Sequence, residues 1–297
     1  MRTEHNHELK IYTTFQIGGC SPVVCFPENE KELVEALENY PNAIVLGNCS
    51  DVLISSFGID VPVIITTAMK NFKIDVTKVT AECGVKAPKL SCAVSDEALS
   101  GFEFMIGIPG SIGGMVVMNA SAHGQAVSDY LVSCKVYDRE DKKIKTLLKN
   151  EMEFSYRTSI AARKPYIILS VEFDLKKSDK DEIKNLMDRN LEFRRQKQPS
   201  LALPNAGSVF KNPENDSAGR LLEKAGVKSC ITGGAKVWEN HANFIVNIGQ
   251  ATSSDVLSLM KKMYDEVKNK YTIELIPEIK YIGKNEEENK IWKEIHN

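Results

Sequence analysis

The chain contains no stretch in which about eighteen apolar residues run together, so nothing in it reads as a membrane-spanning helix. Its first residues, Met1 to Lys10, are polar and charged without an apolar core, and the expected location is the cytoplasm. An excess of one charge is also missing. The 38 basic and 40 acidic residues leave a formal net charge of -2, with no polybasic run, which excludes the electrostatic footprint of a nucleic-acid binder. Any anion site must therefore be local. The seven cysteines, at 20, 25, 49, 83, 92, 134 and 230, form no CxxC pair and are odd in number, which argues against a zinc ribbon or a disulfide framework. They are expected to be reduced and mostly buried. The five histidines, at 5, 7, 123, 241 and 296, make no HExxH or other spaced ligand motif, so no metal site is expected. Repeats and low-complexity segments are absent too. What is present, 297 residues of which 42% are hydrophobic and 26% charged, suffices for two or three soluble domains with real cores.

Hydrophobic spacing predicts helices over Glu28 to Tyr40 and Asp181 to Gln196, the latter ended by Gln198-Pro199. A short helix capped by Ser217 should stop at Gly226, and Ser253 or Ser254 should cap a long one through Val256, Leu257, Met260, Met263, Tyr264 and Val267. Strands are expected at Ala43 to Leu46, Val52 to Ile54, Pro62 to Thr66, Met115 to Met118, Leu131 to Tyr137, Tyr166 to Phe173, around Ser208 to Phe210 and at Asn243 to Ile248. Thr80 to Phe173 reads as mostly β, with Asp138 to Glu153 charged and poor in strand. The tail from Lys284 to Asn297 reads as helical or frayed. A domain boundary is placed near 199, which leaves a small α+β domain after it.

Four segments carry chemistry. Asn205 to Pro213 brings the Ser208 hydroxyl, the Lys211 ammonium and the Asn212 amide within five residues, after a glycine that permits close backbone approach. Gly107 to Gly114 holds four glycines, Pro109 and Ser111, and can expose backbone N–H groups as a nest for a pyrophosphate. It is no GxGxxG fingerprint and no helix pattern follows it, so a Rossmann reading fails. The turn Gly47-Asn48-Cys49-Ser50-Asp51 is a second phosphate candidate, and two such loops suggest a dinucleotide. Arg157 reads as a loop residue whose planar fork matches a carboxylate or a phosphate. Each segment has a plainer reading as well: turns for the glycine clusters, a solvated arginine, an outward-facing strand residue for Glu278, and a hydrogen-bonded structural residue for His241. On the residues alone both readings stand.

The order of the segments decides between them. Tyr12 to Gly19, the Gly47 turn, Gly101-Phe102-Glu103-Phe104 with the Gly107 loop, Met118-Asn119-Ala120, Tyr156-Arg157-Thr158-Ser159, Asn205 to Pro213, Gly233-Gly234-Ala235, His241 to Asn247 and Pro277-Glu278-Ile279 together resemble the UDP-N-acetylenolpyruvoylglucosamine reductase family over about residues 11 to 283. The resemblance implies an α+β fold. It has a two-part FAD-binding domain of the vanillyl-alcohol-oxidase (PCMH) type over 1–198, divided near 68, and a small α+β substrate-binding domain over 199–297. The strand around 276–283 would pack back on the N-terminal part.

The resemblance also implies ping-pong chemistry, with FAD as cofactor, NADPH as hydride donor and a UDP-sugar as substrate, in cytoplasmic peptidoglycan synthesis. Ser208 would protonate C2 of the enolpyruvyl group, while Arg157 and Glu278 would bind and polarise its carboxylate. Tyr156, Lys211, Asn212 and His241 would hold the substrate. FAD would be bound by Gly47, Asn48, Cys49, Ser50, Asp51 and Leu53, by Gly107, Pro109, Gly110, Ser111, Gly113 and Gly114, and by Asn119. The length from Tyr156 to Asn205 resembles the shorter branch of the family, without an extra tyrosine loop. This chain departs from the family pattern at Cys49 and Ser121, where glycine is frequent, and at Asp51, where asparagine is usual. A β-carbon at 49 and a carboxylate at 51 both work against a pyrophosphate. Two other readings use parts of the same pattern. An oxidase of the same FAD fold is opposed by Asn205 to Pro213 and Glu278, and a flavin-free binding protein has support only from Cys49 and Asp51.

Overall fold

A computed structural model describes residues 1–200 and 202–296; Asn297, the end of the expected tail, lies outside them. The chain divides into two compact units, one made of residues 1–4, 23–48 and 62–194, the other of 5–22, 49–61 and 195–297. The division is discontinuous: two early segments group with the C-terminal residues instead of falling on one side of a single cut near 199.

The first unit is built on a five-stranded antiparallel sheet in the order Lys143–Leu148, Leu131–Asp138, Tyr166–Asp174, Lys78–Glu82 and Phe72–Asp75. Alternation sets its buried face: in Lys78–Glu82 only Val79 and Ala81 are fully covered. They sit opposite Phe173 and Val171 of the neighbouring strand. Phe102 meets Phe173 edge-on at 5.0 Å in the core. A parallel set from Cys20–Phe26, Val63–Ile65 and Ile44–Leu46 accompanies the helix Glu30–Asn39. That helix starts where Asn29 accepts the Glu32 N–H at 3.0 Å, and it buries Leu33, Ala36 and Leu37 at helical spacing.

Three expectations fail in this unit. Met115 to Met118 is not a strand, because Ile112–Val117 is helical directly after the glycine loop. A run of four apolar residues does not distinguish the two states by periodicity. Ala87–Asp96 is a second helix within the stretch read as β, started by Pro88 in its first turn. Lys143–Leu148 is an edge strand of the main sheet, and its lysines are the charges expected on an edge.

The second unit contains a four-stranded antiparallel sheet in the order Asn205–Ser208, Phe244–Asn247, Ala235–Val237 and Ile231–Thr232, and a parallel pair of Val52–Ile54 with Lys280–Ile282. The helix Ala218–Ala225 runs from its Ser217 cap to Gly226, which takes the left-handed φ of 85°. The long helix is Ser253–Tyr271, and its cap is Thr252, not either serine. Thr252 and Asp255 form a reciprocal capping box, with bonds of 3.1 and 2.9 Å, because the Ser253 and Ser254 hydroxyls are committed to Glu288. Glu286–Ile295 forms the last helix. Among the described residues no helix is long and apolar enough to cross a membrane.

Candidate active site

In the first unit the chain leaves the strand Ile44–Leu46 into Gly47 and Asn48, and these meet the loop that precedes helix Ile112–Val117. A β-carbon on Gly47 would lie 2.0 Å from Ser111 Oγ and 3.1 Å from its Cβ, so a side chain there would displace the Ser111 hydroxyl. Asn48 Nδ2 donates to the Pro109 carbonyl at 2.6 Å and ties the two loops together. Ser111 is 2% exposed, and its hydroxyl is buried without a hydrogen-bond partner. An orphan hydroxyl of this kind costs about 1–3 kcal/mol unless a ligand satisfies it. The residues present therefore fit a bound phosphate group.

The nest is narrower than the glycine count suggests. Ile112 N–H and Gly113 N–H already donate to the Val85 and Cys83 carbonyls, at 2.9 and 2.8 Å. Gly113 is glycine because a β-carbon would stand 2.9 Å from that of Cys83 and 3.2 Å from its carbonyl oxygen, whereas one on Gly107 would meet only the flexible Arg194 side chain, at 3.0 Å. A β-carbon added to Gly110 or Gly114 would lie 3.3 Å from Met115 Cγ or 3.5 Å from Ser111 Oγ, so neither is held to glycine by a hard clash.

Arg157 occupies the tip of a tight turn in which Ser155 and Thr158 exchange backbone hydrogen bonds of 3.1 and 3.3 Å. It adopts the left-handed region at φ 56°. Its Nη1 donates to Ser121 Oγ at 2.8 Å, and its guanidinium carbon lies 5.3 Å from the Tyr156 ring centre. Asn119 anchors the turn from below: its Nδ2 donates to the Ser155 carbonyl at 3.2 Å, while its Oδ1 accepts from Ser128 N–H at 3.2 Å. Both ends of the Asn119 amide thus serve the backbone.

In the second unit Cys49 is buried and left-handed at φ 48°, the conformation in which a β-carbon is strained. Burial first, and the nearby Asp51 charge second, push its thiol up to about 12. Ser50 is half-buried. Burial also raises the Asp51 carboxyl, against the pull of Lys280. Leu53 is fully buried and pairs with Tyr281, so its side chain belongs to the core.

Ser208 ends a strand whose Asn205 side chain folds back to bond the Leu203 carbonyl and the Gly207 N–H, at 2.7 and 2.9 Å. Gly207 has open space around it and is needed for its φ of 75°. Beyond Ser208 the chain pairs with the segment that carries Glu278. Glu278 N–H donates to Val209 O at 2.8 Å, Phe210 bridges Pro277, and Lys211 N–H donates to Ile276 O at 2.8 Å. Ser208 and Glu278 thus stand on adjacent, antiparallel segments. Glu278 precedes the strand Lys280–Ile282 by two residues instead of starting it.

Asn243, which sequence reading passed over, clamps this pairing. Its Oδ1 accepts from Phe210 N–H at 2.9 Å and its Nδ2 donates to Phe210 O at 2.8 Å. It is 3% exposed, and the available signal was an amide inside an apolar run. Asn212 Oδ1 accepts from Ala218 N–H at 3.0 Å, at the start of the helix Ala218–Ala225. Lys211 is half-buried. His241 packs edge-on to Phe244 at 4.9 Å, accepts the Asn243 N–H at 3.3 Å, and has its pKa lowered mainly by burial. Among the described residues no cluster of His, Cys, Asp and Glu could hold a metal ion.

Comparison with known proteins places the chain in a family. Residues 21–147 match the FAD binding domain family, and residues 198–282 match the family described as UDP-N-acetylenolpyruvoylglucosamine reductase, C-terminal domain. The chain is 41% identical to the UDP-N-acetylenolpyruvoylglucosamine reductase of Caldicellulosiruptor bescii over 95% of its own length and 91% of the relative's. It is 38% identical to that of Bacillus subtilis, over 94% of both chains. The crystal structure of UDP-N-acetylenolpyruvylglucosamine reductase from Thermus caldophilus superposes with a TM-score of 0.83 at 33% identity, covering 95% of this chain and 99% of that one. An α+β chain that joins an FAD-binding domain to this C-terminal domain, and that aligns with such relatives nearly end to end, belongs to the UDP-N-acetylenolpyruvoylglucosamine reductase family.

Proposed function

We infer that the chain reduces the enolpyruvyl group of UDP-N-acetylglucosamine enolpyruvate to UDP-N-acetylmuramate in peptidoglycan synthesis, as an NADPH-dependent flavoenzyme. FAD, when bound, would supply the hydride, drawn from NADPH, that adds at C3 of the enolpyruvyl double bond. Addition of hydride at C3 pushes electron density toward C2 and the carboxylate. Reduction is complete only when C2 gains a proton, so the chain must supply an acid and a carboxylate clamp.

Ser208 is the proposed proton donor to C2. A serine hydroxyl is a poor acid in water, but one fixed beside a strongly basic enolate can donate, and a positioned general acid is commonly worth about 10²–10⁴ in rate. The arrangement that supports this role is the pairing of Val209 with Glu278, clamped by Asn243, which fixes Ser208 next to a second candidate group. Arg157 and Glu278 bind and polarise the carboxylate: Arg157 stabilises its growing charge, and Glu278 donates a hydrogen bond to it if protonated. Lys211, Asn212, Tyr156 and His241 hold the substrate. Gly47, Asn48 and Ser111 hold the cofactor's phosphates, with Asn119 supporting the Arg157 turn. Residues 1–198 serve as the FAD-binding part and 199–297 as the substrate-binding part. A cytoplasmic location belongs to the same reading.

Separating the half-reactions tests it. In stopped-flow absorbance Ser208→Ala should keep flavin reduction by NADPH near wild type and slow reoxidation by the enolpyruvyl substrate by about 10²-fold or more, the scale of a lost general acid. Equal slowing of both halves would assign Ser208 to shaping the flavin pocket instead.

A further inference from the structure

The turn that carries Arg157 is anchored three times, and the anchors do different work. Asn119 Nδ2 holds the Ser155 carbonyl at 3.2 Å, and Ser159 Oγ holds the Val117 carbonyl at 2.9 Å. These two bonds fix the backbone on either side of the tip. The third, from Arg157 Nη1 to Ser121 Oγ at 2.8 Å, acts on the guanidinium itself. Ser121 is well placed for this. It lies in a short hairpin, Ser121–Ala122 against Gln125–Ala126, closed by His123 and Gly124 at positive φ, so its Cα is set by backbone pairing. Its carbonyl lies 3.5 Å from the same Nη1, which brings two oxygens of one residue to one nitrogen.

We propose that Ser121 is a positioning residue for the reduction, which orients the Arg157 fork for the substrate carboxylate; the proposal rests on the reading of Arg157 given above. Arginine has many rotamers, and a bidentate partner rewards only the few in which both nitrogens point at the carboxylate. A hydroxyl that holds one nitrogen removes much of that freedom before substrate arrives, so less is lost on binding. Because the backbone anchors do not involve the Ser121 side chain, removing the hydroxyl should leave the turn in place and loosen the guanidinium at Nη1.

The experiment compares Ser121→Ala, Ser121→Thr, Arg157→Lys and the double variant Ser121→Ala with Arg157→Lys, with two readouts. One is calorimetric affinity for the product UDP-N-acetylmuramate, and the other is the flavin reoxidation rate. Ser121→Ala should weaken product binding and slow reoxidation by about threefold to tenfold, the scale of one net hydrogen bond, with flavin reduction by NADPH unchanged. Ser121→Thr, which keeps the hydroxyl, should recover most of the loss. In the Arg157→Lys background Ser121→Ala should add little, since the oriented fork is already gone. Wild-type product binding and reoxidation in Arg157→Lys would overturn the reading of Arg157 itself. An effect in Arg157→Lys with none in Ser121→Ala, or a Ser121→Ala loss that adds in full to that of Arg157→Lys, would overturn the positioning role alone.

Discussion

Two buried polar groups in this chain are opposites. Glu288, in the second unit, is 1% exposed and accepts hydrogen bonds from Ser55, Ser253, Ser254 and Tyr281 at 2.6, 2.5, 2.6 and 2.7 Å. Ser111, in the first unit, is 2% exposed and its hydroxyl has no partner. Burial alone would raise the Glu288 carboxyl, but the four hydroxyls outweigh it and hold the group below the usual carboxylate range. The first group is finished by the fold itself, which marks it as part of what holds the unit together. The second is left unfinished by the fold, which is what the proposed phosphate site would use.

The largest break in that comparison should come from Glu288. Glu288→Ala strands four hydroxyls around a cavity and releases the helix Glu286–Ile295 from the N-terminus of Ser253–Tyr271. A loss of about 3–5 kcal/mol in urea unfolding is expected, the range for dismantling a buried charged network. A loss below about 1 kcal/mol would show that the cluster is incidental. The pH dependence carries a sign. A carboxyl with a depressed folded-state pKa contributes stability that is present above its ordinary value of about 4.3 and is lost as pH falls through the folded value. Wild-type stability should therefore fall more steeply below about pH 4 than that of Glu288→Gln, as melting temperatures across pH 3 to 7 would register.

Ser111→Ala sharpens the other side. Because the hydroxyl has no partner, the apoprotein should keep its stability or gain up to about 1 kcal/mol. FAD affinity, read by quenching of flavin fluorescence during titration of the apoprotein, should weaken about tenfold, near 1.4 kcal/mol. A destabilised apoprotein with unchanged FAD affinity would reverse the contrast and make Ser111 a structural residue.

The two groups also differ in how visible they were in the sequence. Ser111 stood in a glycine-rich loop that could be read as a phosphate site before any coordinates. Glu288 lay in a charged tail with nothing to separate it from Glu286 and Glu287, because its four partners come from distant positions. The same reasoning holds for the elements. Helices long enough to show amphipathic spacing, such as Glu30–Asn39 and Ser253–Tyr271, were legible from local pattern. Ile112–Val117 was not, being too short for a period to emerge and rich in β-branched residues. Arg157 was legible as a loop residue, but its positive φ and its Ser121 partner were not. Asn243 was hidden because an amide within an apolar run gives no sign of which backbone it clamps.

The smallest effect is expected at Cys49, where two contributions of similar size oppose each other. Its left-handed φ of 48° costs about 1–2 kcal/mol for a residue with a β-carbon, and glycine would relieve most of that. Glycine would also delete a buried side chain, 4% exposed, worth about 1 kcal/mol, and would add chain entropy to the unfolded state. The net change in stability for Cys49→Gly should stay within about 1 kcal/mol. At Asp51 burial raises the carboxyl, and Asp51→Asn would remove the charge that could oppose a phosphate. Cys49→Gly with Asp51→Asn should therefore tighten FAD binding, but by less than Ser111→Ala weakens it, and the same flavin titration ranks the two. The thiol offers an independent check on burial. Held up at about 12, Cys49 should resist a thiol reagent at pH 8 in the folded protein, while the exposed Cys20 and Cys92 react at once. Rapid labelling of Cys49 would mean that this turn opens readily, and the strain at position 49 would then be released by motion instead of being held by packing.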